Sequence, residues 1–360
     1  MRRRWWTAAA ALLIGACGTS SDPIATPADA GATVDATAET EASAEAAAPV
    51  ADVSLYAVAE LPRTDATQGL SGTFFDEATS TLYAIQDTQA RVVPLVAAQD
   101  FRAFSPATPI ALTGRPDPTW DGEGIVRSGA ELLAITVETE PRLERFDANG
   151  AYLGRIDLPA RFASQAPGNK GMESLALSPR FLFTANEAAL PADGPVASKT
   201  RGTLVRIVRR DRSSGTTTEH AYRTEPLGAG AGGGDMGVSE LLAVTDDALL
   251  VLERGFQSGF GNTVRIFRVD LAGAPDVSGV PALGDATPVL TKKLLVDIGT
   301  LPPGDVTHPG TQPNPLLDNY ESLALGPPLG DGRRLLFVTS DDNASATQVA
   351  RVLVLAIRGL

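Results

Sequence analysis

Between Gly171 and Ala188 the chain reads GMESLALSPRFLFTANEA: an acid, a short apolar run, a Ser-Pro-Arg turn, a second apolar run and another acid. Apolar runs this short, bounded by turn residues, predict an antiparallel hairpin rather than a helix. The same pattern returns along the chain. DGEGIVRSGAELLAITVETE carries Glu123 and Glu138, VSELLAVTDDALLVLERG carries Glu240 and Glu253, and YESLALGPPLGDGRRLLFVTSDDN carries Glu321 and Asp341. LSGTFFDEATSTLYAIQDT fits with Ser71 in the opening acidic place and Asp87 in the closing one. Gly, Asp and Ser at the bends supply the turn chemistry such hairpins need.

Each hairpin is followed by further alternating runs, such as RLERFDANGAYLGRIDL with its Asn-Gly turn, GNTVRIFRVDL and the terminal TQVARVLVLAIR. The unit is therefore about four strands at a spacing of about 50 to 80 residues, the signature of a propeller blade. The expected fold is all-β, a propeller of four-stranded blades. Five blades are countable, and a sixth could hide in the connections 272–288 or 302–319. The last unit stops at its third strand, while DVSLYAVAEL, from Asp52 to Leu61, stands unattached before the first. That strand is expected to complete the final blade and close the ring.

Closure also accounts for the acids. The start of the first strand and the end of the second lie side by side in a hairpin, and blades share one orientation. Asp87, Glu123, Glu138, Glu173, Glu187, Glu240, Glu253, Glu321 and Asp341 are then expected to gather at one mouth of the central channel.

The N-terminus has a different character. Arg2 to Arg4 precede the apolar stretch from Trp5 to Ile14, and LIGAC ends at Cys17, the one cysteine of the chain. About ten apolar residues suit a signal h-region and are too few to span a bilayer. The small residues before Cys17 resemble a lipobox, so residues 1–17 are expected to be a lipoprotein signal lipidated at Cys17. Residues 18–51, rich in Ala, Thr and Glu and lacking aromatics, are expected to be a disordered tether, because such a composition buries too little apolar surface to offset its chain entropy. Residues 52–360 form the propeller domain. The protein is expected to be exported and held at the outer membrane, in the periplasm or at the cell surface, touching the membrane only through its anchor.

Of 360 residues, 43% are hydrophobic and 20% charged, with a net charge of −13. That charge repels a phosphate backbone and excludes nucleic acid as a partner. A monomer is expected. With its sole cysteine in the lipobox, the folded part has no thiol for a disulfide, metal site or nucleophile. The two histidines, His220 in an outer strand and His308 in the loop PPGDVTHPG, are too few for a His-rich metal site. His220 is expected at the surface and His308 as loop decoration within reach of the mouth. No G-x-S-x-G elbow supports a serine hydrolase, although Ser71 and Ser239 flank the acids. Trp120, Phe256 and Phe260 neighbour the acidic positions, where they serve either a ligand pocket or blade packing.

Gathered carboxylates raise one another's pKa unless a cation or hydrogen bonds hold their charge. Two arrangements answer this. Oxygen ligands in number suit Ca²⁺, with Asp87, Glu123, Glu173, Glu187, Glu240, Glu253, Glu321 and Asp341 as its candidate ligands. Alternatively, the acids pair with strand ends or with the nearby Lys170 and Arg254.

GLSGTFFDEATSTLYAIQD, DGEGI, NKGMESLALSPRFLFTANE and NYESLALGPPLGDGRRLLFVTSDD together resemble the bacterial phytase-like proteins, described by their esterase-like activity of phytase, over about Asp52 to Leu360. The resemblance implies calcium-dependent hydrolysis of phosphoric monoesters, with a small phosphate ester as substrate. In that analogy Glu173, Glu187 and Glu240 are the candidate proton-transferring carboxylates, and Lys170 and Arg254 the substrate contacts. The Asp-rich DAADDPAIW-like stretch of the true propeller phytases is missing. A non-catalytic propeller binding an envelope ligand or protein is the alternative, and a general esterase using Ser and His a third.

Overall fold

In the computed structural model, residues 52–360 are described except 138, 166, 167 and 169. The signal, Cys17 and the tether lie outside the described residues, as does Glu138. No helix among the described residues is long and apolar enough to cross a membrane.

Five antiparallel sheets form the molecule, one from each sequence unit. Their innermost strands are Leu70–Asp76, Gly122–Ser128, Ala176–Leu177, Gly234–Thr245 and Tyr320–Pro328. Each inner strand packs against the inner strands of the two flanking blades, and the fifth returns to the first, closing the ring. The fold is a five-bladed β-propeller.

N-terminal strand Val53–Glu60 pairs antiparallel with Arg351–Ile357, from Val53 opposite Ile357 to Glu60 opposite Arg351. It becomes the outermost strand of the fifth blade, as the sequence predicts. Arg351–Ile357 is buried along its whole length, and this pairing covers an apolar edge that would otherwise invite other strands.

Apolar alternation along the strands builds a core at each blade-to-blade interface. Ile85, Ile125 and Phe146 join the first two blades, and Leu143, Leu182 and Val208 the next pair. Phe183, Ile207 and Val251 join the third and fourth; Ile266, Leu336 and Leu353 the fourth and fifth. Leu82, Leu95, Phe337 and Val354 then lock the fifth blade onto the first.

Neither long connection contains a sixth blade. Residues 272–290 instead run along the outer edge of the third blade, where the Val277 and Leu290 amides donate to the Glu219 and Ala221 carbonyls. This cover buries His220, whose Nδ1 lies 2.9 Å from the Pro275 carbonyl, correcting its expected surface position. The segment 302–319 forms one wall of the channel mouth. There, His308 Nε2 sits 2.9 Å from Asp318 Oδ2 and Nδ1 accepts from the Gly310 amide.

Candidate functional site at the channel mouth

All five blades share one local irregularity that builds the mouth. Inner-strand pairing shifts register between Leu70 and Thr73, Gly122 and Ile125, Val238 and Glu240, and Tyr320 and Ser322. In the third blade Met172 forms an isolated bridge with Asn186 before pairing resumes at Ala176. A bulge of this kind re-aims side chains out of strict alternation. The residues it presents are Ser71, Glu123, Glu173, Ser239 and Glu321, each one beyond the last regular pair and two beyond the backbone-bonded pair before it.

That pair fixes the other half of the mouth. Asp87, Val137, Glu187 and Asp341 donate their amides to the carbonyls of Gly69, Asp121, Gly171 and Asn319, and Gly237 pairs with Arg254. The closing places are therefore Asp87, Val137, Glu187, Arg254 and Asp341. Two sequence expectations need correction. Glu253 is one residue short of the closing place, and in a strand one residue turns the side chain to the other face. It lies between blades, accepting from Tyr222 Oη and from Lys292 Nζ at 2.6 Å. Glu240 is one residue past the opening place, which Ser239 fills. Its Oε1 accepts the Leu175 and Leu241 amides at 3.0 and 2.9 Å. Burial raises its pKa well above the usual range, and no other acid contributes to that shift.

The remaining acids converge on a cation from the same ring. Arg254 Nη2 lies 3.3 Å from Glu187 Oε1 and 3.5 Å from Glu321 Oε1. Burial works against its charge, but Glu187, Glu321 and Glu173 outweigh it and raise the pKa of the guanidinium. Lys170 Nζ bridges Glu187 at 3.0 Å and Asp235 at 2.9 Å. Across the mouth, Ser71 Oγ donates to Glu123 Oε2 at 3.2 Å. Asn319 Nδ2 donates to Glu321 Oε1 at 2.7 Å. Burial, with the charges of Glu187 and Asp87, still raises Glu321 to about 7 against the pull of Arg254. Asp341 is raised well above the carboxylate range by burial, then by Glu321 and Asp87.

The mouth thus joins Asp87, Glu173, Glu187, Glu321 and Asp341 through shared charge. Asp235 and Asn319 belong to it although no repeat marks them. Asp235 ends the Gly-rich stretch GAGAGGGD, and Asn319 stands two residues before Glu321. Among the described residues no three Asp, Glu, His or Cys side chains come together as a group able to hold a metal ion. The carboxylates as placed are therefore not a calcium cage, and Arg254 and Lys170 take the neutralising role.

Comparison with solved structures gives low-identity likenesses. Regucalcin, a calcium-binding protein from Agrobacterium tumefaciens, is 13% identical, with 84% of this chain and 97% of that chain covered and a TM-score of 0.39. An endo-arabinase from Bacteroides thetaiotaomicron is 12% identical over 84% and 95%, with a TM-score of 0.45. The periplasmic gluconolactonase of Pseudomonas aeruginosa is 14% identical over 81% and 70%, with a TM-score of 0.32. At these values the likenesses carry no argument about activity. No curated protein matches the chain. The model of one family, Phytase-like (esterase-like activity of phytase), matches residues 65–344, and the chain belongs to that family.

Proposed function

We propose that the protein is a hydrolase of phosphoric esters and that its reaction runs at the carboxylate-lined mouth. Family membership supports the reaction class. The observation that carries the site is the crowded pair Glu321 and Asp341, each raised by burial and by the other acids, with Glu321 at about 7. Ester hydrolysis needs a base for the attacking water and an acid for the leaving oxygen. Two carboxyls raised in one buried site hold a proton between them more readily than separate ones, and that proton belongs to the pair rather than to either residue. Arg254 and Lys170 provide the cationic groups for phosphoryl oxygens, and Glu187, which contacts both, positions them. Glu173 adds its charge to those that favour the Arg254 guanidinium. Glu240, already engaged by two amides, has no part in proton transfer here.

Calcium is the ion expected from the acids and from the family resemblance. The described carboxylates do not come together as a metal-binding group, and the chelator arm of the test reads the contribution of the ion. Export and anchoring through Cys17 belong to the same proposal and rest on the sequence of residues 1–17.

The test is turnover of a panel of phosphate monoesters, beginning with a chromogenic aryl phosphate, in calcium and in chelator. Glu321→Gln and Asp341→Asn are expected each to lower kcat by about 100-fold or more, the scale of general acid–base catalysis. Loss of the rate in chelator would assign part of the neutralisation of the phosphoryl group to a bound cation. Absence of turnover on every ester in both conditions would overturn the proposal and favour a binding propeller.

A further inference from the structure

Beside the mouth, and sharing Arg254 with it, lies a cleft of about 660 Å³ whose other walls the hydrolytic reading does not use. That size falls within the roughly 300–1,000 Å³ of small-molecule sites. Arg254, Asp235 and Asn319 form its edge toward the mouth, and Phe256, Asn262, Gln312, Asn343 and Gln348 are among its lining residues.

Phe256 is the one aromatic among the exposed large hydrophobic residues described, at 48% exposure. An exposed phenyl ring forgoes the burial free energy that normally places it inside. It stands two residues beyond Arg254 on Ala248–Gln257, so the ring shares the face on which the guanidinium enters the mouth. Its backbone amide is tied to Asp235 Oδ1 at 3.3 Å.

The opposite wall is built close and held in place. Gln312 Oε1 accepts the Asn262 amide at 2.7 Å. Gly261, at φ 104°, leaves room where a Cβ would come within 2.4 Å of that same oxygen. His308, bonded to Asp318 and Gly310, pins the start of this wall. Asn343 and Ala344 hold left-handed backbone at φ 45° and 52° beside Asp341. Strain of this kind in non-glycine residues concentrates at ligand clamps.

The lining chemistry selects among ligands. Asp235 and Arg254 bring one charge of each sign to the edge of the cleft, so its lining does not favour an ion of either sign. Side-chain amides offer a donor and an acceptor on one group, and a hydroxyl likewise both gives and accepts. The amides of Asn262, Gln312, Asn319, Asn343 and Gln348 share the cleft with one aromatic ring, which matches a ligand with hydroxyls around its rim and C–H bonds on its flat face, since the negative face of the ring attracts such C–H groups. We propose that this cleft binds a neutral saccharide, with Phe256 as the stacking platform. The proposal is independent of the hydrolytic reading, because binding is measured directly.

The experiment is calorimetric titration of the protein with maltohexaose, cellohexaose, xylohexaose and N-acetylchitohexaose. At least one is expected to bind. Phe256→Ala should weaken that binding by about 10-fold or more, the equivalent of 1.4 kcal/mol, with the thermal unfolding midpoint unchanged. Phe256→Trp should keep the affinity and show a blue-shifted indole emission on titration, which a merely structural role would not produce. Gln348→Ala, on the opposite wall, should also lose affinity. Failure of all four oligosaccharides to bind at millimolar concentration, or equal affinity of wild type and Phe256→Ala, would overturn the assignment.

Discussion

Glu240 lies at 1% exposure with both of its bonds made by one oxygen to the Leu175 and Leu241 amides. It bridges the inner strands of the third and fourth blades. Since burial favours the uncharged form of this carboxyl, an amide in its place keeps the accepting oxygen and adds no new charge. Glu240→Gln is therefore expected to leave phosphate-ester turnover unchanged and stability within about 1 kcal/mol of wild type, the net scale of one hydrogen bond. Glu240→Ala instead strands two buried amides and is expected to cost about 2–6 kcal/mol, read by urea denaturation, since each unsatisfied group costs about 1–3 kcal/mol. A large kcat loss in the glutamine variant with stability intact would return Glu240 to the catalytic carboxylates. The same contrast separates it from Glu321, which has the charges of Arg254, Glu187 and Asp87 around it as well as the Asn319 amide.

At the scale of the strand, the bulge decides what faces the channel, and small residues let it form. Gly124 follows Glu123 at the bulge, and a Cβ there would come within 2.7 Å of the Leu175 Cβ and amide. Gly72, in the matching place of the first blade, would meet the Glu123 carbonyl at 2.4 Å. Inner strands approach this closely because a propeller narrows toward its axis. Gly124→Ala is expected to cost about 1–3 kcal/mol, the range for overpacking a filled site, measured as a fall in the urea midpoint. An unchanged midpoint would mean that the inner strands are not in contact there. The hairpin repeat, the five blades and closure by the N-terminal strand are all legible in the sequence, because period-2 apolar runs and turn residues encode them directly. The bulge is not, since no residue type announces a register shift. Without it, counting along the repeat falls one place off in the fourth blade, taking Glu253 for Arg254 and Glu240 for the Ser239 position. Asp235 and Asn319 escape the pattern for a related reason: they reach the mouth from the Gly-rich approach to the fourth blade and the end of a long connection, outside the repeat.

For the whole molecule, ring closure concentrates charge of one sign on a common axis, and this couples stability to pH. Arg254 and Lys170 neutralise part of the cluster, but Glu321 still titrates at about 7 against an ordinary value of 4.5. A carboxyl raised on folding binds its proton more tightly in the native state. Its contribution is therefore fully present below pH 4.5 and is lost as the pH rises through about 7. Each tenfold gain in proton affinity is worth about 1.4 kcal/mol, so the loss across that window is on the order of 3 kcal/mol for the pair acting together. Acids held below their ordinary range by partners oppose it at lower pH; Asp117, lowered to about 2 by bonds from Thr119 and Arg142, is one. The two effects occupy different windows, so the mouth is read between pH 5 and 8. Thermal melts across that interval should show the midpoint of the wild type falling as pH rises. Glu321→Gln removes one of the titrating groups and should reduce the slope, while Glu77→Gln, at the opposite end of the inner strand from the mouth, should leave it as in wild type. Equal slopes in wild type and Glu321→Gln would mean that the carboxylates do not share a desolvated mouth, and the acid–base pair proposed for catalysis would lose its basis.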